Sequence, residues 1–269
     1  MSLFKNLGTE GLADKEDRLG GAFILPTGIY EGTVRMAYAQ KAASGALGIT
    51  LQLLINGREV STTQYVTDRN GRNYFHPKDG NGQPNLNARN PLPGFTIIDD
   101  LCIVTTGAPL QDQETEEKTV RVYNADEKKE LPTVVQAMPG LIGSTAYFAV
   151  FKDLVNQEEK DSNGMYQPTE KEREQNEFVK VFHHPSKVTV KEQMVAVESG
   201  VEEVEPVFFD EWMARNCDPS KPPEVRDRRK LKDGKGAVSG KPGGASSGPP
   251  VGSNPTAGGA KKASIFGKK

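Results

Sequence analysis

Little in this sequence can hold a metal, close a disulfide or cross a membrane. Its 269 residues include two cysteines, three histidines and one tryptophan. Cys102 and Cys217 have no spacing typical of a disulfide framework or a zinc site, and His76, His183 and His184 add no ligand pattern to them. No metal or other cofactor is expected, and a reducing, cytoplasmic setting is the simplest reading. No apolar run approaches the length of a membrane-spanning helix, and the opening MSLFKNLGTEGLADKEDRLGG lacks the apolar core of a signal peptide, so neither a membrane nor export is expected.

Catalytic signatures are also missing. GKGAVSGKP looks like a phosphate loop, but Gly234 and Gly240 stand one residue too far apart, and Pro242 replaces the hydroxyl residue that would hold magnesium. The acidic runs QETEEK and EEVE lack the spaced acids and glycine of a calcium loop. No serine or cysteine sits in a nucleophile elbow. The chain therefore reads as non-enzymatic, with no catalytic residue to name.

Charge supplies the first positive signal. The net charge of -2 conceals two opposites: residues 219 to 269 hold 12 Lys+Arg against 3 Asp+Glu, which leaves 22 against 33 for residues 1 to 218. Between Gly234 and Gly259, 9 Gly and 4 Pro account for half of the residues. Such a composition cannot offset the entropy of ordering. The expected plan is an N-terminal arm (1–22), one compact acidic body (23–218) and a disordered, basic Gly/Pro-rich tail (219–269) with an apolar tip at Ile265-Phe266.

Within the body, hydrophobic alternation marks strands. Ile29 to Tyr38 places Tyr30, Val34, Met36 and Tyr38 on one side and Glu31, Thr33 and Arg35 on the other. Gly48 to Asn56 points Ile49, Leu51, Leu53 and Ile55 one way, and Asn56-Gly57 is a hairpin signal. Glu59 to Asp68 follows, with Val60, Thr62 and Val66 inward and Ser61, Thr63 and Tyr65 outward. A long turn-rich loop spans Arg69 to Pro93. Phe95 to Thr106 reads as a helix capped by Thr96, with Asp99 and Asp100 in its first turn.

Further strands are expected at 119–123, 131–136, 145–154 and 177–182, with a charged excursion between Gln157 and Gln175. Helical signals close the body at 190–198 and 206–216, where Phe208, Phe209, Trp212 and Met213 share a face. Three meandering strands, a helix and more strands suggest a mainly β fold: an OB-fold-like Greek-key barrel with extra strands and one or two C-terminal helices.

Basic and aromatic residues recur together on the first sheet and its loops, and these are the components that bind single-stranded nucleic acid without sequence preference. Arg35, Gln52 and Tyr65 fall on outer faces of the first three strands. Tyr38 and Lys41 open the first hairpin, and Arg69, Arg72, Tyr74 and Phe75 crowd the loop after the third strand. The alternative is that Tyr74 and Phe75 plug the barrel end and the arginines are merely solvated. Core packing is the expected role of Tyr30, Tyr147, Phe148 and Phe151, and Trp212 reads as a helix anchor.

The segments LPTGIYEGTVRMAYAQKAASGALGITLQLLINGRE, QYVTDRNGRNYF and PLPGFTIIDDLCIVTTGAPLQDQETEEKTVRVYN resemble a family of bacteriophage single-stranded DNA-binding proteins, over about Leu25 to Phe182 and again in the lysine-rich tail with SIFGKK. The resemblance implies an OB-fold core that coats single-stranded DNA in replication and recombination. It supports Arg35, Lys41, Tyr65, Arg69, Arg72, Tyr74 and Phe75 as binding candidates. One departure is plain: many such proteins carry an acidic tip, whereas Phe266 here stands among Lys261, Lys262, Lys268 and Lys269. An adaptor that docks on replication or recombination proteins through Ile265 and Phe266 is the competing reading.

Overall fold

The computed structural model describes residues 23–231, apart from 43, 125, 126, 128, 161–165 and 202. The expected arm and the tip with Ile265 and Phe266 lie outside the described residues. What is described is mainly β.

The frame is a three-stranded antiparallel meander: β1 (Gly28–Lys41), β2 (Leu47–Ile55) and β3 (Arg58–Tyr65). Asn56 and Gly57 both adopt positive φ, 51° and 74°, as a tight hairpin turn requires. The far edge of β1 is shared. Its first half pairs with β8 (Thr145–Lys160), and Tyr38 and Ala39 pair with β7 (Lys129–Ala137). β6 (Glu116–Asn124) forms a hairpin with β7, and β9 (Tyr166–His183) forms one with β8. The sheet is open, running β3-β2-β1-β8-β9, and the barrel expected from the element order is not closed.

Helix α1 (Pro93–Thr106) packs against both β3 and β9. It begins earlier than expected. Pro93 occupies the first turn, where a missing N–H costs nothing, so Thr96 is not the cap but donates its hydroxyl to the Leu92 carbonyl. Asp99 and Asp100 lie beyond the first turn, where Asp99 accepts the Leu110 N–H at 2.8 Å and Asp100 pairs with Lys180 at 2.8 Å. Burial pushes the Asp99 carboxyl and the Cys102 thiol upward in pKa.

Apolar residues divide between two faces. Val34, Leu51, Leu53, Ile55, Phe148 and Val150 meet Ile98 and Leu101 of α1 in the main core. On the opposite face, α3 (Val207–Asn216) covers Ala149 and Phe182 with Trp212, Phe209 and Met213, the ring of Trp212 lying 5.3 Å from that of Phe151. Trp212 thus anchors its helix, as the sequence implies. α2 (Val190–Ser199) starts with a capping box in which Thr189 and Glu192 satisfy each other's backbone N–H groups.

Two charged regions depart from expectation. The excursion at 157–175 largely continues the β8–β9 ribbon, which carries cross-strand pairs such as Lys152–Glu174 at 2.7 Å and Lys171–Glu159 at 2.9 Å. Hydrophobic alternation cannot reveal strands held by backbone bonds and alternating charge. The segment 219–231, assigned to the tail by composition, instead lies on the body, and Val225–Asp227 adds to β8 as a parallel strand, β10.

The contacts that hold that segment are distant in sequence. Arg226 forms two bonds with the fully buried Asp153, at 2.7 and 2.9 Å, reaches Glu177, and stacks 3.7 Å above the Phe151 ring. Arg228 meets Glu177, Arg229 meets Glu172, and Lys230 meets Glu158. Arg226→Ala should cost about 3–5 kcal/mol in denaturant unfolding, since Asp153 would be left buried with only the 3.5 Å ion pair to Arg228 among the described residues. Arg226→Lys should recover only part, because a lysine cannot reproduce the two-pronged bond. Parental stability for both variants would contradict this role.

Candidate nucleic-acid interface

The face of interest is created by one extra residue in β1. Pairing with β2 shifts register between Val34 and Met36, and Arg35 is the residue left over. Before the bulge Val34 faces the main core; after it Ala37 does. Met36 and Tyr38, which simple alternation puts on the side of Val34, therefore turn to the opposite face.

On that face three cross-strand rows follow: Met36–Gln52–Ser61, Tyr38–Thr50–Thr63 and Gln40–Gly48–Tyr65. The centre is polar, with the Thr50 and Thr63 hydroxyls hydrogen-bonded at 2.8 Å. Tyr65 is 51% exposed. Its ring lies beside Gly48, where an added Cβ would stand 3.3 Å from Cε1. Behind it, a Cβ on Gly94 would come within 2.4 Å of the Tyr65 carbonyl oxygen, so the start of α1 fixes the backbone of Tyr65 only because residue 94 is glycine.

The other candidates divide into three groups. Arg35, Lys41 and Arg69 are exposed and, among the described residues, make no ion pair. The backbone of Arg69 passes close to the first hairpin, 3.2 Å from where a Gly45 Cβ would be, which brings Arg69 to the same end of the sheet as Lys41 and Tyr65. Gln52 is half-buried between Met36 and Ser61. Tyr38 is only 3% exposed and offers no ring face to a ligand, which corrects its selection as a contact.

The loop from Arg69 to Pro93 is shaped by asparagine and aspartate turns. Asp68, Asp79 and Asn85 each accept the backbone N–H two residues on, and β4 (Tyr74–Phe75) pairs with β5 (Asn90–Pro91). Arg72 is engaged, giving two bonds to Asp68 Oδ2 at 2.8 and 2.7 Å. Tyr74 is half-buried, with the Arg89 guanidinium 4.6 Å from its ring centre and His76 edge-on at 5.5 Å. Phe75 is 40% exposed, so it does not plug an interior. Arg89 escaped the sequence reading; its place in the same loop as Tyr74 was the only signal.

Asp68 and Arg72 generate a pH expectation. The backbone and guanidinium bonds from Arg72 lower the Asp68 carboxyl to about 2. A depressed carboxylate contributes fully above its ordinary pKa and loses that contribution as pH falls toward the folded value. Carbon NMR of the Asp68 carboxyl should therefore give a midpoint near 2, and a midpoint at the ordinary aspartate value would show that the clasp does not form. No protein-family model matches this chain, and no curated protein matches it.

Proposed function

We propose that this is a non-enzymatic single-stranded DNA-binding protein of the bacteriophage type, which coats single strands in replication and recombination, largely without regard to sequence, in the cytoplasm of the host cell. The observation that carries this reading is the exposed end of the outer face of β1, β2 and β3. A half-exposed Tyr65 lies there over a glycine, with Lys41 and Arg69 at the same end and Arg35 at the bulge. Rings that accept a base and cations that meet phosphates are the two requirements of such binding.

Topology supports the same reading. With the β6–β7 hairpin set aside as an insertion, the meander β1-β2-β3, then α1, then β8 and β9 follow the OB element order, and α1 spans the gap between the β3 and β9 edges. The resemblance to bacteriophage single-strand binders covers the same segments. Among the described residues, no helix is long and apolar enough to cross a membrane.

A fluorescence titration with single-stranded and duplex DNA of equal length, at two salt concentrations, tests the proposal. The single strand should bind more tightly, and its affinity should fall as salt rises because phosphate neutralisation releases counterions. Tyr65→Ala should weaken single-strand binding by about 1–3 kcal/mol with the fold retained. Equal affinity for both forms would refute the function, and parental affinity in the alanine variant would remove Tyr65 from the site.

A further inference from the structure

We propose that the wedge between β1 and the β6–β7 hairpin is a second contact site for nucleic acid, taking one or two bases of a single strand that crosses the sheet from Tyr65; this rests on the reading of the protein as a single-strand binder. The wedge has a simple origin. β7 pairs with β1 only at Tyr38↔Ala137 and Ala39↔Gln136, while β1 continues to Lys41 and the rest of β7 stays with β6. Where the strands part they leave an open groove of about 430 Å³. Small-ligand sites fall in this range.

The lining suits a base. Val122 and Val134 supply apolar wall, Gln40, Thr133 and Gln136 supply amide and hydroxyl groups for base edges, and Lys41 supplies a cation for a phosphate. Glu117 also borders the wedge and accepts a 3.5 Å bond from Gln136 Nε2. A carboxylate there repels phosphate, so the base enters and the backbone stays on the Lys41 side.

Position joins the wedge to the interface. Gln40 belongs to the row Gln40–Gly48–Tyr65, and Gly48 places no side chain between the two ends. Two strand spacings separate them, about 10 Å. A single strand running across the β-strands thus meets the Tyr65 ring at one end of the row and the wedge at the other.

Val134 is 64% exposed, so its replacement disturbs no core. In the full chain, Val134→Trp should fill the wedge, weaken oligothymidylate binding about five- to tenfold and shorten the occluded site by one or two nucleotides, while Val195→Trp, at a half-exposed position on α2, binds like the parent. Photocrosslinking of the unsubstituted chain to a 4-thiothymidine oligonucleotide gives a second readout, with adducts expected at Gln40 or within 133–136. A parent that does not prefer single strands overturns both the wedge and the function beneath it. A parent that binds normally, with no adducts in the wedge and a tryptophan variant of parental affinity and site size, overturns the wedge alone.

Discussion

The composition of the meander's outer face depends on the extra residue that Arg35 inserts into β1. Without the bulge, the alternation that places Val34 in the main core would place Met36 and Tyr38 there as well, and Ala37 would face outward. With it, β1 serves two environments in turn. Its first half contributes Ile29 to the apolar layer under α3, and its second half contributes to the polar rows that β2 and β3 complete. A bulge also adds local twist, and just beyond it the far edge of β1 passes from β8 to β7. The face and the wedge beside it thus share a cause.

Electrostatics narrows where a polyanion can land. The body is acidic overall, so attraction has to come from a local patch rather than from net charge. The basic residues that open the C-terminal region are already committed, since Lys221, Arg226, Arg228, Arg229 and Lys230 all pair with carboxylates. Arg72 is tied to Asp68 and Lys180 to Asp100. Arg35, Lys41 and Arg69, by contrast, sit on or beside the outer face of the meander without a carboxylate partner among the described residues. Lys78, Lys118, Arg121, Lys191 and Arg215 also make no ion pair among the described residues, so it is the nearness of Lys41 and Arg69 to the exposed Tyr65 ring, rather than freedom from carboxylates, that sets them apart.

Much of the frame was legible in local pattern. The meander, its Asn56-Gly57 turn, the helix near residue 95 and the Trp212 helix all follow from periodicity and turn chemistry. Three features were not, for a common physical reason. The docking of residues 219–231 is fixed by partners far along the chain, as with Arg226 and Asp153, while the charged β8–β9 ribbon is a local hairpin and the bulge a local irregularity against β2; none of the three leaves a periodic apolar signature. At the candidate site, Tyr65 could be placed, although its strand alternates less cleanly than β1 or β2, because no bulge interrupts the pairing of β3 with β2. Tyr38 could not, because the bulge lies between it and Val34.

Backbone amide NMR of the full chain, titrated with oligothymidylate, tests most directly whether the meander's outer face is where single-stranded DNA lies. Shifts should cluster at residues 35–41, 48–52, 61–65 and the turn around Arg69, leaving the amides of α3 unmoved. Saturable shifts confined to α2, α3 or the β8–β9 ribbon, with the meander silent, would contradict the account.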